Sequence, residues 1–120
     1  MLTLASRKGD AVVVIERSPL RQAIEAADIT DLFAQIEADA IKERQPKAAD
    51  FQSKVIDVGD RRLVAVQYSR PGVLGSEKVR QYSMPMGKQL YRITCISVAS
   101  QFASLDTTFS HMATSFTVTE

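Results

Sequence analysis

The chain has 120 residues, enough for one ordinary domain and too few for two. A hydrophobic fraction of 45% and a charged fraction of 24% argue against disorder, and a net charge of +1 argues against strong attraction to nucleic acid or an anionic bilayer. No apolar run approaches the ~20 residues of a membrane-spanning helix, and the single Cys95 permits no internal disulfide.

Along the chain, Leu2 to Ser6 is predicted as a short strand and Arg7-Lys8-Gly9-Asp10 as a turn. Ala11 to Arg17 is a β-branched run bounded by Ser18-Pro19, and its unbroken apolar stretch from Val12 to Ile15 suits a strand covered on both faces. A helix follows, with Ile29, Leu32, Phe33, Ile36, Ala40 and Ile41 expected on its inner face and Asp28 or Thr30 as its N-cap. Leu20, Ile24 and Ala27 either extend it backwards or form a separate turn, and Gln45-Pro46 closes it.

Phe51 to Val58 and Leu63 to Ser69 are predicted as antiparallel strands around a Gly59-Asp60 turn. Arg70-Pro71-Gly72 and Gly75-Ser76 mark a loop. Glu77 to Met84 and Gln89 to Val98 form a last hairpin whose tip holds Met84, Pro85 and Met86. A final helix is expected with Phe102, Leu105, Phe109, Met112 and Phe116 on one face, capped by Ser100 or Ser104 and ending near Ser115-Phe116. Short turns between successive strands imply an antiparallel sheet, and apolar residues on both faces of Ala11–Arg17 and Leu63–Tyr68 imply a helix on each side. The expected fold is therefore α+β, one α/β/α sandwich spanning residues 1–120.

Little in the pattern points to catalysis. His111 is the only histidine, is expected to be exposed, and lacks the second His or paired Cys of a zinc site. Asp106, Ser110 and Ser115 beside it carry no nucleophile-elbow sequence. The acidic residues of the first helix, from Glu25 to Glu43, have no calcium-loop pattern and read as a solvated face. Cys95, in an alternating strand, reads as a small buried apolar residue. No cofactor is expected, and no catalytic or metal-binding residue is assigned.

The charge distribution says more than its total. Lys54, Arg61, Arg62, Arg70, Lys78, Arg80, Lys88 and Arg92 concentrate in the strands after the acidic helix. Arg and Tyr are favoured interface anchors, so Arg80, Tyr82, Tyr91 and Arg92, with the adaptable Met84 and Met86, form the predicted protein-contact surface. Nucleic acid is not an expected partner, because a pI near 7.9 falls below the range typical of such domains.

The strand Leu90-Tyr91-Arg92-Ile93-Thr94-Cys95 after a Gly-bearing turn, and a helix closing on Met112-Ala113-Thr114-Ser115-Phe116, resemble the end of PsbP-like domains. That fold is shared with the Ran-binding Mog protein and with bacterial DcrB-type domains, to which the resemblance is closest. Gly9 to Arg17, Phe51 to Gly59 and Leu63 to Tyr68 fall in the same order, so the resemblance spans Gly9 to Phe116. The chain departs from the family in having no tryptophan and no Pro-Gly-Trp-like opening. Either Met1 to Ser6 replaces that opening, or the chain is a truncated form whose exposed sheet edge or groove invites pairing with another chain, a homodimer being the expected case.

The resemblance implies a non-catalytic role: accessory subunits of photosystem II, a small-GTPase binder, envelope lipoproteins, and chaperones for effectors of type VI secretion. The expectation is a protein-binding accessory module, most concretely a DcrB-type chaperone or adaptor for a secreted effector. Its start, Met1-Leu2-Thr3-Leu4, lacks a secretory signal, so a cytoplasmic location is expected. An envelope-associated domain of a longer exported protein is the alternative, and a small-molecule-binding or enzymatic domain is the third reading.

Overall fold

Strand alternation decides which of two cores each residue enters. A computed structural model describes residues 2–5, 11–73 and 75–116. Ser6, the predicted turn at Arg7–Asp10, and Leu74 of the predicted loop lie outside them. The strands are β1 (Leu2–Ala5), β2 (Ala11–Pro19), β3 (Ala49–Val58), β4 (Arg61–Gly72), β5 (Gly75–Met86) and β6 (Gln89–Val98). Helix α1 spans Asp31–Arg44, preceded by a 3-10 turn at Ala26–Asp28, and α2 spans Ala99–Thr114.

All pairings are antiparallel, in the order β1-β2-β6-β5-β4-β3. The chain leaves β2, crosses the sheet through α1 to its far edge, and returns by a meander from β3 to β6. Two-residue turns drive that meander. Gly59 and Gly87 hold φ of +62° and +60° at the first turn position, the conformation that the tight hairpin turns of twisted strands require. The predicted loop around Pro71 is much shorter than expected, because β4 and β5 stay paired out to Gly72 and Gly75.

On one face Ala11, Val13, Leu63, Ala65, Tyr82, Met84, Ile93 and Cys95 pack against Phe102, Phe109 and Ala113 of α2. On the other, Val64, Val66, Tyr68 and Val79 pack against Ala34, Ala38 and Ile41 of α1, with Ile29 just before the helix. The fold is α+β with a helix on each face of the sheet, as the double apolar patterning requires.

Each helix departs from expectation in one respect. In α1 the inner residues are Ala34, Glu37, Ala38 and Ile41, while Leu32 and Ile36 are 69% and 58% exposed. Small alanines let the helix lie close over the bulky Val64, Val66 and Tyr68, and Leu or Ile there would hold it away. Thr30 is the N-cap, with its Oγ1 accepting from the Phe33 N–H at 3.5 Å. Helix α2 begins directly from β6 with Val98 at its N-cap and no side-chain cap, so neither Ser100 nor Ser104 serves. Its other end is held from the sheet: Arg61 Nη1 donates to the Phe116 carbonyl at 2.9 Å and Nη2 to that of Thr114 at 3.5 Å. The next residue, Arg62, points to the opposite face and donates to the Ile29 carbonyl at 3.2 Å.

Candidate functional site beside helix α1

Neither helix covers its whole face. Helix α1 packs on β3 and β4, and α2 packs on β5 and β6, so each leaves a different half of the sheet open. The α1 face is described by three cross-strand rows fixed by register: Tyr68–Val79–Ile96–Val12, Val66–Gln81–Thr94–Val14, and Val64–Ser83–Arg92–Glu16. Each row starts in the core under α1 and becomes more exposed towards β2. Ile96, Thr94, Arg92, Val14 and Val12 are half-buried, and Glu16 is exposed.

The middle of these rows is polar and buried. Gln81 is 6% exposed and Ser83 has no exposed surface. Arg92 Nη2 donates to both oxygens of the Glu37 carboxylate, at 3.0 and 3.3 Å, tying β6 to α1. Three donors at this border nonetheless have no partner among the described residues: Gln81 Nε2, Ser83 Oγ and Arg92 Nε. A buried donor left without any partner costs about 1–3 kcal/mol, so these three favour an acceptor from outside the described residues.

The six residues predicted from sequence do not form one exposed surface. Tyr82, Met84 and Tyr91 are buried beneath α2, with the Tyr91 and Phe116 rings 5.4 Å apart. Arg80 shares that face, and its side chain is 15% exposed. Its Nε and Nη2 donate to Gln67 Oε1 at 3.1 and 2.7 Å, and its Nη1 donates to the Tyr82 hydroxyl at 3.0 Å and to Asp106 of α2. Burial pulls the Arg80 pKa down, but the hydrogen bonds to Tyr82 and Asp106 outweigh it and leave it above the usual value. Burial raises the Tyr82 hydroxyl, with the Arg80 hydrogen bond acting against it. Met86 is half-buried and adjoins the hairpin turn, which is Gly87-Lys88 and not the wider tip expected. Only Arg92 lies on the α1 face.

Sequence reasoning missed Glu37, Gln81, Ser83, Val12 and Val14. Gln81 and Ser83, at alternate positions after Val79 on one face of β5, are the one local signal, and what they meet is set by register with β4 and β6. His111 is exposed on α2, as expected. Among the described residues no group of three or more His, Cys, Asp or Glu is placed to hold a metal ion. No helix of the described residues is long and apolar enough to cross a membrane.

No family model matches the sequence, and no curated protein matches it significantly. Solved structures do match. A Pseudomonas aeruginosa protein of unknown function, PA94, described as a candidate regulator, superposes with a TM-score of 0.62 at 13% identity, over 92% of this chain and 74% of that one. The solution structure of cyanobacterial PsbP from Synechocystis superposes with a TM-score of 0.64 at 11% identity, over 98% of this chain and 81% of its own. The fold is PsbP-like.

Proposed function

We propose that the protein is a non-catalytic binding module that holds an apolar helical segment of a client protein against the open half-face beside α1. The observation that carries this reading is the set of unpartnered buried donors, Gln81 Nε2, Ser83 Oγ and Arg92 Nε, at the border of half-buried Val12, Val14 and Ile96. A helix laid in such a groove buries its side chains on the valines and turns a carbonyl or side-chain oxygen to the donors. In its most concrete form the module is a DcrB-type chaperone or adaptor that keeps such a segment of a secreted effector from aggregating. The PsbP-like fold, seen in the candidate regulator PA94 and in cyanobacterial PsbP, is compatible with an accessory role.

The test is co-expression with an effector encoded beside the gene, or titration with a synthetic apolar helix flanked by lysines. Val14→Glu and Ile96→Glu are expected to reduce binding at least tenfold, while Leu32→Glu, on the outer side of α1, leaves it unchanged. Equal binding by all three folded variants would place the client elsewhere and end this reading.

A further inference from the structure

The other open half-face, on the α2 side over β3 and β4, is of different character. Two of its rows are Val13–Cys95–Arg80–Gln67–Gln52 and Ile15–Ile93–Tyr82–Ala65–Lys54, core at β6 and polar at β3, while Ile56 in the next row of β3 packs on the core. Between the Arg80 side chain and the edge strand lies a cleft of about 390 Å³ lined by Gln52, Ser53, Lys54, Ala65, Gln67 and Arg80. Ala65 makes its floor, and its short side chain is why there is room between Tyr82 and Lys54.

The hydrogen bonds around the cleft fix what it offers. Gln67 Oε1 accepts from both Nε and Nη2 of Arg80, which turns the Gln67 amide nitrogen away from the guanidinium and leaves its N–H groups for the cleft. The Arg80 charge is met by Asp106. Among the described residues, no carboxylate lies within ion-pair distance of the Lys54 ammonium. The lining therefore carries one uncompensated positive charge and a surplus of donors, with its best acceptor already occupied.

We propose that this cleft is a carboxylate-binding site, in which one acid group accepts from Lys54 Nζ and the Gln67 amide and its polar body lies along Gln52 and the backbone at Ser53. One net positive charge matches a monoanion, and the fixed amide supplies direction that a surface lysine alone lacks. The site is separate from the α1 half-face, so it stands whether or not the client reading does. The carboxylate has two sources, a free small acid or an acidic side chain of a bound protein segment.

Amide-resolved NMR titration tests the site with L-glutamate, acetyl-glutamate amide and acetyl-glutamine amide at constant ionic strength. The expected result is saturable shifts at Gln52, Lys54 and Gln67 with one or both acids, and binding at least tenfold weaker with acetyl-glutamine amide, which matches the capped acid in size and carries no carboxylate. Saturation by glutamate alone assigns a free acid, and saturation by the capped form as well assigns a side chain. Lys54→Gln, at an exposed position, should abolish the shifts, Lys54→Arg should keep them, and Gln67→Leu should weaken them at least fivefold. Equal shifts with acetyl-glutamine amide, unsaturable shifts with both acids, or binding retained by a folded Lys54→Gln protein would overturn the proposal.

Discussion

Cys95 has no exposed surface and sits in the core beneath α2, where burial pushes its thiol up from 9.0 to about 12. The folded state therefore favours the protonated thiol. Its contribution to stability is full below pH 9.0 and is lost as pH rises towards about 12. Burial raises Tyr68 and Tyr82 above 10.0 in the same sense. Denaturant unfolding should show stability level near neutral pH and falling above about pH 9, with a smaller alkaline loss in Cys95→Ala. A thiol-specific reagent at pH 8 should label Cys95 only at the rate of unfolding, and faster labelling would contradict its burial. Ser83 tests the opposite case. Its hydroxyl is buried without a partner, so Ser83→Ala should leave stability unchanged or raise it by up to ~1 kcal/mol, whereas Leu63→Ala should cost ~2–4 kcal/mol in the same measurement.

Helix α1 is the element where a hydrophobicity pattern misleads. Leu32, Ile36 and Ala40 share one side of the helix, and that side faces solvent, while Ala34, Ala38 and Ile41 face the sheet. Ranking residues by apolarity finds Ile29, Phe33 and Ile41 correctly but adds Leu32 and Ile36 in place of Ala34 and Ala38, because closeness of approach to Val64 and Val66 is a property of the partner surface and leaves no local mark. Leu32→Ser and Ile36→Ser should each change stability by no more than ~0.5 kcal/mol, and Ala38→Leu should destabilise by ~1–3 kcal/mol through overpacking. The final hairpin misleads by one residue. A two-residue turn at Gly87-Lys88 pairs Met84 with Tyr91 and Ser83 with Arg92, which sends Arg92 to the face opposite Arg80. Reading Met84 to Lys88 as a loose tip hides that parity, and with it the separation of the two arginines. The hairpins, the order of elements and the α2 stripe of Phe102 and Phe109 are legible because turn glycines and periodicity are local. The donors at Gln81 and Ser83 are not, because their neighbours come from β4, β6 and α1.

For the whole molecule, the offset of the two helices matters more than their number. Had α1 and α2 been centred on the same strands, both ends of the sheet would be bare. Set diagonally, they leave one apolar half-face and one polar half-face on opposite sides. The two open surfaces can therefore be altered separately: Lys54→Gln should leave helix binding beside α1 unchanged, and Val14→Glu should leave carboxylate binding unchanged, with both read by NMR titration. The edges follow the same economy. Edge strand β3 carries Lys54 at mid-strand and an irregular register between Ala49 and Gln52, both of which blunt pairing with another sheet.

Arg61 and Arg62 are neighbours at the start of β4, yet they grip backbone carbonyls on opposite sides of the sheet, at the end of α2 and at the approach to α1. Fraying of β4 at Arg61 would release both helices at once, which makes the turn at Gly59-Asp60 a shared latch between layers that otherwise do not touch. Amide hydrogen exchange should therefore find the last turn of α2 and the first turn of α1 opening with the same free energy. Substituting either arginine by alanine should lower protection in both helices, a coupling that two independently docked helices would not show.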